Sequence, residues 1–136
     1  MLRVFLNNIF FYYFMKKLKK VLGRDFFGKD NCLKAYLNEN LEFFFEFGKK
    51  VGDKWSWKKV KMNDLELGEI VLVLEGKKNS VAFFHDFRGD KTQIWVNRDK
   101  FFFIKVKELS KSLNDGEQLI LRELLKHCVL RMNMFF

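Results

Sequence analysis

The chain has 136 residues, of which 49% are apolar and 32% charged, and it carries a formal net charge of +9. That length suits one domain around one core, and the apolar content excludes a disordered chain. With no Pro there is no Pro-rich linker and no cis-Pro turn, so glycine is expected to supply the corners, all eight glycines being read as lying between apolar runs.

From the N-terminus, Val4 to Met15 is almost wholly apolar and ends on Lys16-Lys17-Leu18-Lys19-Lys20. As a helix it reaches only about 18 Å, short of a roughly 30 Å hydrocarbon core. A secretory signal carries its charge before the apolar stretch, not after it. Three readings stay open: a buried element of the fold, an interfacial anchor with lysines on lipid headgroups, or an upstream extension with Met15 as the natural start. The location expected is cytoplasm or an organelle matrix, not the outside of the cell.

Residues 1–40 are read as this segment plus a basic, helical region of the same domain, with a short helix over Asp30–Asn38. Residues 41–136 read as a β-meander closed by a helix. Leu41, Phe43, Phe45 and Phe47 alternate with Glu42 and Glu46, the period of a strand. Trp55–Met62 is its partner, with a slip near Lys58-Lys59 that suggests a bulge. Four further strands are expected at Glu69–Leu74, Ser80–Phe87, Lys91–Asn97 and Phe101–Lys107. Gly76–Asn79, Arg88-Gly89-Asp90 and Asn97–Lys100 connect them as hairpin turns. A last helix starts at Asn114 or Asp115, with a stripe of Leu121, Leu124, Leu125, Cys128 and Met132. No internal repeat is visible.

The fold class expected is α+β, mainly β: an antiparallel meander curled into a small barrel, with a C-terminal packing helix. Leu67-Gly68-Glu69-Ile70-Val71-Leu72-Val73 resembles the opening of SH3-like barrels. Lys49-Lys50-Val51-Gly52 followed by Trp57-Lys58-Lys59 resembles the first hairpin of pleckstrin-homology-like domains, which also end in a helix. Gly68–Val73 is similar to the opening strand of small toxin-type ribonucleases too, a resemblance that implies Arg88, His85 and Arg98 as phosphate clamp and acid/base.

Charge is placed unevenly. Residues 1–62 hold 14 Lys and Arg against six Asp and Glu, and residues 63–136 hold 12 against 11. Eighteen Phe and 20 Lys invite an explanation by base drift in an AT-rich genome, such as that of a phage or organelle. Drift does not explain the asymmetry. A positive charge confined to one region suggests a face for phosphate or anionic lipid. Lys16, Lys17, Lys19, Lys20, Lys49, Lys50, Lys58, Lys59 and Lys61 are the candidate phosphate contacts. Trp55 and Trp57, two apart on one strand, are either core or stacking partners for unpaired bases.

Signals for chemistry are sparse. Cys32 and Cys128 read as reduced buried thiols. Cys32, His85, His127 and Cys128 contain no local chelating pair, so neither a metal nor a cofactor is expected. His85-Asp86 is the one His with an adjacent carboxylate, but strand alternation sends the two to opposite faces. No nucleophile elbow and no phosphate-cradling Gly-rich loop is present, and no small-molecule substrate is signalled. The reading that follows is a non-enzymatic binding protein whose basic half contacts nucleic acid, RNA in preference to duplex DNA. A membrane surface, a protein partner (for an adaptor or inhibitor) and ribonuclease activity are the alternatives.

Overall fold

Strict alternation of apolar and polar side chains organises most of the chain, and it produces the same unit twice. In the computed structural model, which describes residues 18–134, four strands are followed by a helix: β1 (Lys20–Phe27), β2 (Asn31–Asn38), β3 (Phe43–Val51), β4 (Lys54–Met62) and α1 (Asp64–Leu74). The pattern then repeats as β5 (Ser80–Phe87), β6 (Asp90–Arg98), β7 (Phe102–Val106), β8 (Leu109–Leu113) and α2 (Asp115–Asn133). Each quartet is an antiparallel sheet in sequence order, β1-β2-β3-β4 and β5-β6-β7-β8. The stretch Val4–Met15, with Lys16 and Lys17, lies outside the described residues.

The described residues are therefore mainly β with two helices, but the sheets do not close into a barrel, because each keeps its own two edge strands. Each sheet turns one face inward. From the first come Leu33, Ala35, Leu37, Phe43, Phe45 and Phe47, and from the second Ile94, Val96, Phe102, Ile104 and Val106. Between them α1 contributes Leu67, Ile70, Val73 and Leu74, and α2 contributes Leu121, Leu125 and Cys128. Every large side chain buried here contributes about 1.5–3 kcal/mol relative to exposure. The Phe43 and Phe45 rings meet edge-on at 5.0 Å, with Phe47 next in line at 6.2 Å from Phe45.

Both helices start in the same way. Asn63 accepts from the Glu66 amide while the Glu66 carboxylate accepts from the Asn63 amide, and Asn114 and Glu117 repeat this reciprocal cap 51 positions later. The strand before each cap ends on a buried residue, Met62 and Leu113. The internal repeat is thus written in the sequence as Asn63-Asp64-Leu65-Glu66 and Asn114-Asp115-Gly116-Glu117.

Several expectations are corrected. Asp30–Asn38 is not a helix but strand β2, its Leu33, Ala35 and Leu37 facing the core. Glu69–Leu74 is not a strand but the second half of α1, so Gly76–Asn79 links a helix to a strand. A helix end buried against two sheets is apolar on most of its circumference, and this erased the 3.6-residue signal. The basic region expected to be helical forms strand β1, β4 pairs with β3 without a bulge at Lys58-Lys59, and strand β8 was unforeseen. Glycines are not confined to corners either: Gly23 and Gly48 lie in strands, and Gly68 and Gly116 in helices. The turn Arg88-Gly89 does form as expected, with both residues at positive φ (53° and 83°), the geometry of a two-residue hairpin.

Because Phe45 is fully buried and Phe84 is 78% exposed on the outer side of β5, the two are opposite tests of this packing. Phe45→Ala is expected to lower stability by about 3–5 kcal/mol, and Phe84→Ala to change it by less than about 0.5 kcal/mol. Urea unfolding followed by far-UV circular dichroism measures both.

Candidate nucleic-acid interface

Inward alternation leaves a second set of side chains on the outer face of the first sheet, and the strand register arranges them in rows. One row runs Gly23–Tyr36–Phe44–Lys61 across β1 to β4. The next is Asp25–Lys34–Glu46–Lys59, and the third is Phe27–Cys32–Gly48–Trp57, with Lys50 opposite Trp55 beyond it. A charged row thus lies between two aromatic rows.

Cations and rings interlock on this face. Lys20 Nζ sits 4.2 Å from the centre of the Tyr36 ring, and Lys59 Nζ 4.2 Å from that of Phe44. Tyr36 and Phe44 are themselves 5.8 Å apart. Trp55 and Trp57 stack at 5.5 Å with an interplanar angle of 20°, and Lys34 Nζ lies 4.8 Å over Trp57. Each exposed cation–ring pair is worth about 0.5–1 kcal/mol and fixes the direction of an otherwise mobile lysine. Gly48 makes the flat Trp57 ring fit: a Cβ there would lie 2.6–2.9 Å from three ring atoms.

Burial and charge shape the ionisable groups around this face. Burial, followed by the Glu46 carboxylate beside it, pushes the Tyr36 phenol up to about 12, so it stays a neutral donor. At the rim the Lys61 ammonium, 2.9 Å away, and then the Asn38 amide hold the Glu42 carboxyl below its ordinary value.

Of the residues singled out from the sequence, Trp55, Trp57, Lys20, Lys50, Lys59 and Lys61 converge on this face. Trp55 and Trp57 are 40% and 46% exposed, so neither is a core residue. Lys58 is on the opposite side of β4, paired at 3.4 Å with Asp90 of the second sheet. Lys49 lies one position off the face, near the first-hairpin turn with Lys29 and Asn31. Lys19 is exposed ahead of β1, its amide donating to Glu39. Lys34, Tyr36 and Phe44 were missed, although Lys34 and Tyr36 alternate with Leu33, Ala35 and Leu37 in a readable strand pattern.

The ribonuclease residues do not assemble. His85 bonds to Glu66 of α1 at 2.6 Å, and Arg98 to Gln118 of α2 at 2.6 Å. Arg98 pairs with Asn79, six residues from His85, roughly 20 Å away along the strand direction. The histidine's carboxylate partner is Glu66 and not Asp86, which instead accepts from the Gly89 amide. Among the described residues no cluster of three or more His, Cys, Asp and Glu could hold a metal, and no helix is long and apolar enough to cross a membrane.

The second sheet has an outer face of another character. Phe84, Trp95 and Phe103 are set among Gln93, Asn97, Lys105, Ser110 and Ser112. On this face Lys105 approaches the Trp95 ring at 5.9 Å, more loosely than the lysines approach the rings of the first sheet.

Two tandem ββββα units with their helices packed together define the class of this protein by architecture. Its sequence matches no protein-family model and no curated protein. Its fold is similar to that of a chain in the crystal structures of Trypanosoma bruciei MRP1/MRP2, with a TM-score of 0.55 at 11% sequence identity. The match covers 91% of this chain and 93% of that one, and it is a likeness of fold.

Two checks follow from the local geometry. Gly48→Ala is expected to displace the Trp57 ring, seen as a lost near-UV circular dichroism signal of the Trp pair and faster acrylamide quenching. Burial raises the Cys128 thiol to about 12 and raises Cys32 as well, and both are free. At pH 8 both therefore stay protonated, and a disulfide reagent such as DTNB is expected to titrate them rapidly only after denaturation.

Proposed function

We propose that the protein binds single-stranded nucleic acid, RNA in preference to duplex DNA, on the outer face of its first sheet. The observation that carries this reading is the interlocked lattice of Tyr36, Phe44, Trp55 and Trp57 with Lys20, Lys34 and Lys59. Unpaired bases offer flat faces to exposed rings, and lysines spaced between the rings meet the phosphates that link those bases. A duplex hides its base faces, so half-exposed Trp rings on a sheet would be wasted on it. Tyr36, only 7% exposed, forms the floor of the platform beneath Lys20, and Lys61, 62% exposed in its side chain, is free to turn from Glu42 toward a phosphate.

The chemistry sets the expected signature. Binding of a single-stranded oligonucleotide weakens with salt, and each phosphate-contacting lysine removed lowers the logarithmic slope by about 0.7. Lys59→Ala and Lys34→Ala are expected to do this, whereas Trp57→Ala costs about 1–3 kcal/mol of affinity with the slope nearly unchanged. Fluorescence anisotropy of a labelled oligouridine across a salt series reads all three. No salt-dependent binding at low ionic strength would defeat the proposal, and so would equal losses for a hairpin duplex.

A further inference from the structure

At the junction of the two units, the free edge of β4 faces the β5–β6 hairpin across a cleft of about 610 Å³, within the roughly 300–1,000 Å³ typical of small-ligand sites. Phe44, Val60 and Phe87 give it apolar walls, and Lys58, Lys59 and Lys61 run along one side. His85 and Thr92, directly opposite each other in the β5–β6 ladder, line the other.

Two side chains give the cleft its polar edge. Thr92, 7% exposed, borders it from β6. His85 is held from behind, Nε2 lying 2.6 Å from Glu66 Oε2, while Glu66 Oε1 accepts from the Asn63 amide at the start of α1. The contact with Glu66 fixes the orientation of the His85 ring at the cleft wall.

The charges around the cleft limit what fits. Among the described residues Lys59 makes no ion pair, its ammonium resting over Phe44, whereas Lys58 is tied to Asp90 and Lys61 to Glu42. Asp90 also meets Lys107, and Asp86 at the mouth accepts from the Gly89 amide. That balance suits a single phosphate and disfavours a polyphosphate. Phe44, Lys59 and Lys61 belong to the outer face of the first sheet as well, so the cleft continues the surface assigned above to nucleic acid.

We infer that this cleft seats one nucleoside monophosphate unit. Its base lies against Phe44 and Phe87, its phosphate is at Lys59 and Lys61, and its polar edge is met by the Thr92 hydroxyl and the His85 ring. The inference rests on the nucleic-acid reading for the choice of ligand, and the unit is either the terminal residue of a bound strand or a free mononucleotide.

The test is a titration of the full chain with uridine 5′-monophosphate, followed by amide chemical shifts, with inorganic phosphate as control. Saturable shifts at Phe44, His85, Phe87 and Thr92 are expected. Thr92→Val and Phe87→Ala should each weaken binding by about fivefold to tenfold, the loss of one good contact. Phe87 is 71% exposed, so its replacement leaves the fold intact. Trp57→Ala should leave mononucleotide affinity unchanged while weakening oligonucleotide binding. No saturation by about 10 mM, equal shifts with inorganic phosphate, or insensitivity to both cleft variants overturns the inference. An oligonucleotide with a terminal phosphate that displaces the mononucleotide supports it with the strand end as source. One that binds without displacing it supports it with the free nucleotide as source. Mononucleotide binding without any oligonucleotide binding would sink the single-strand reading and leave the cleft standing.

Discussion

Strand β3 is where the structure is decided. Its odd positions, Phe43, Phe45 and Phe47, are fully buried, while Phe44, Glu46 and Gly48 between them build the outer face. Because the side-chain period is two, a one-residue slip would send three Phe rings into water and bring Glu46 into the core. The burial energy of those rings therefore fixes the register of β2 and β4 as well. It brings Lys59 to Phe44 and Trp57 to Gly48 with no separate device for doing so. Core and surface are specified by one constraint.

The join between the two units depends on polar groups. Glu66 uses one carboxylate oxygen to cap α1 and the other to hold His85 of β5. In the second unit Gln118, next after the capping-box Glu117, donates to the Leu113 carbonyl and accepts from Arg98 of β6. Each helix start is thus tied to a strand of the second sheet by a side chain within its first turn or just beyond. These bonds orient the helices that the apolar core then holds.

The parts of this arrangement legible in the sequence were those with a strong local period. Leu41–Phe47 showed alternation, and the stripe through Leu121, Leu125 and Cys128 showed helical spacing beside a clear cap. The first helix was hidden because Leu67–Leu74 is apolar almost throughout, and only the Asn63…Glu66 spacing announces its start. Strand β2 was hidden because Leu33, Tyr36 and Leu37 also fall at the three- and four-residue spacing of a helix face. Of the candidate site, the lysine excess and the Trp pair were readable because they are compositional. The ring–cation lattice was not, since it depends on which residues four strands bring side by side. Lys58 shows the limit plainly: it neighbours Lys59 in sequence and lies on the other face of the strand.

The placement of the helices has a consequence for the autonomy of the halves. Each ββββα unit turns its sheet inward onto helices drawn from both, with Leu67 and Ile70 sharing one cluster with Leu121 and Leu125. A half on its own would leave an inner sheet face covered by a single short helix, too little apolar surface removed from water to offset the ordering of some fifty or sixty residues. The two copies of the motif are thus obligate halves of one cooperative unit. That mutual dependence lets their outer surfaces diverge, one toward lysine and the other toward amides and hydroxyls, while the shared interior holds both in place.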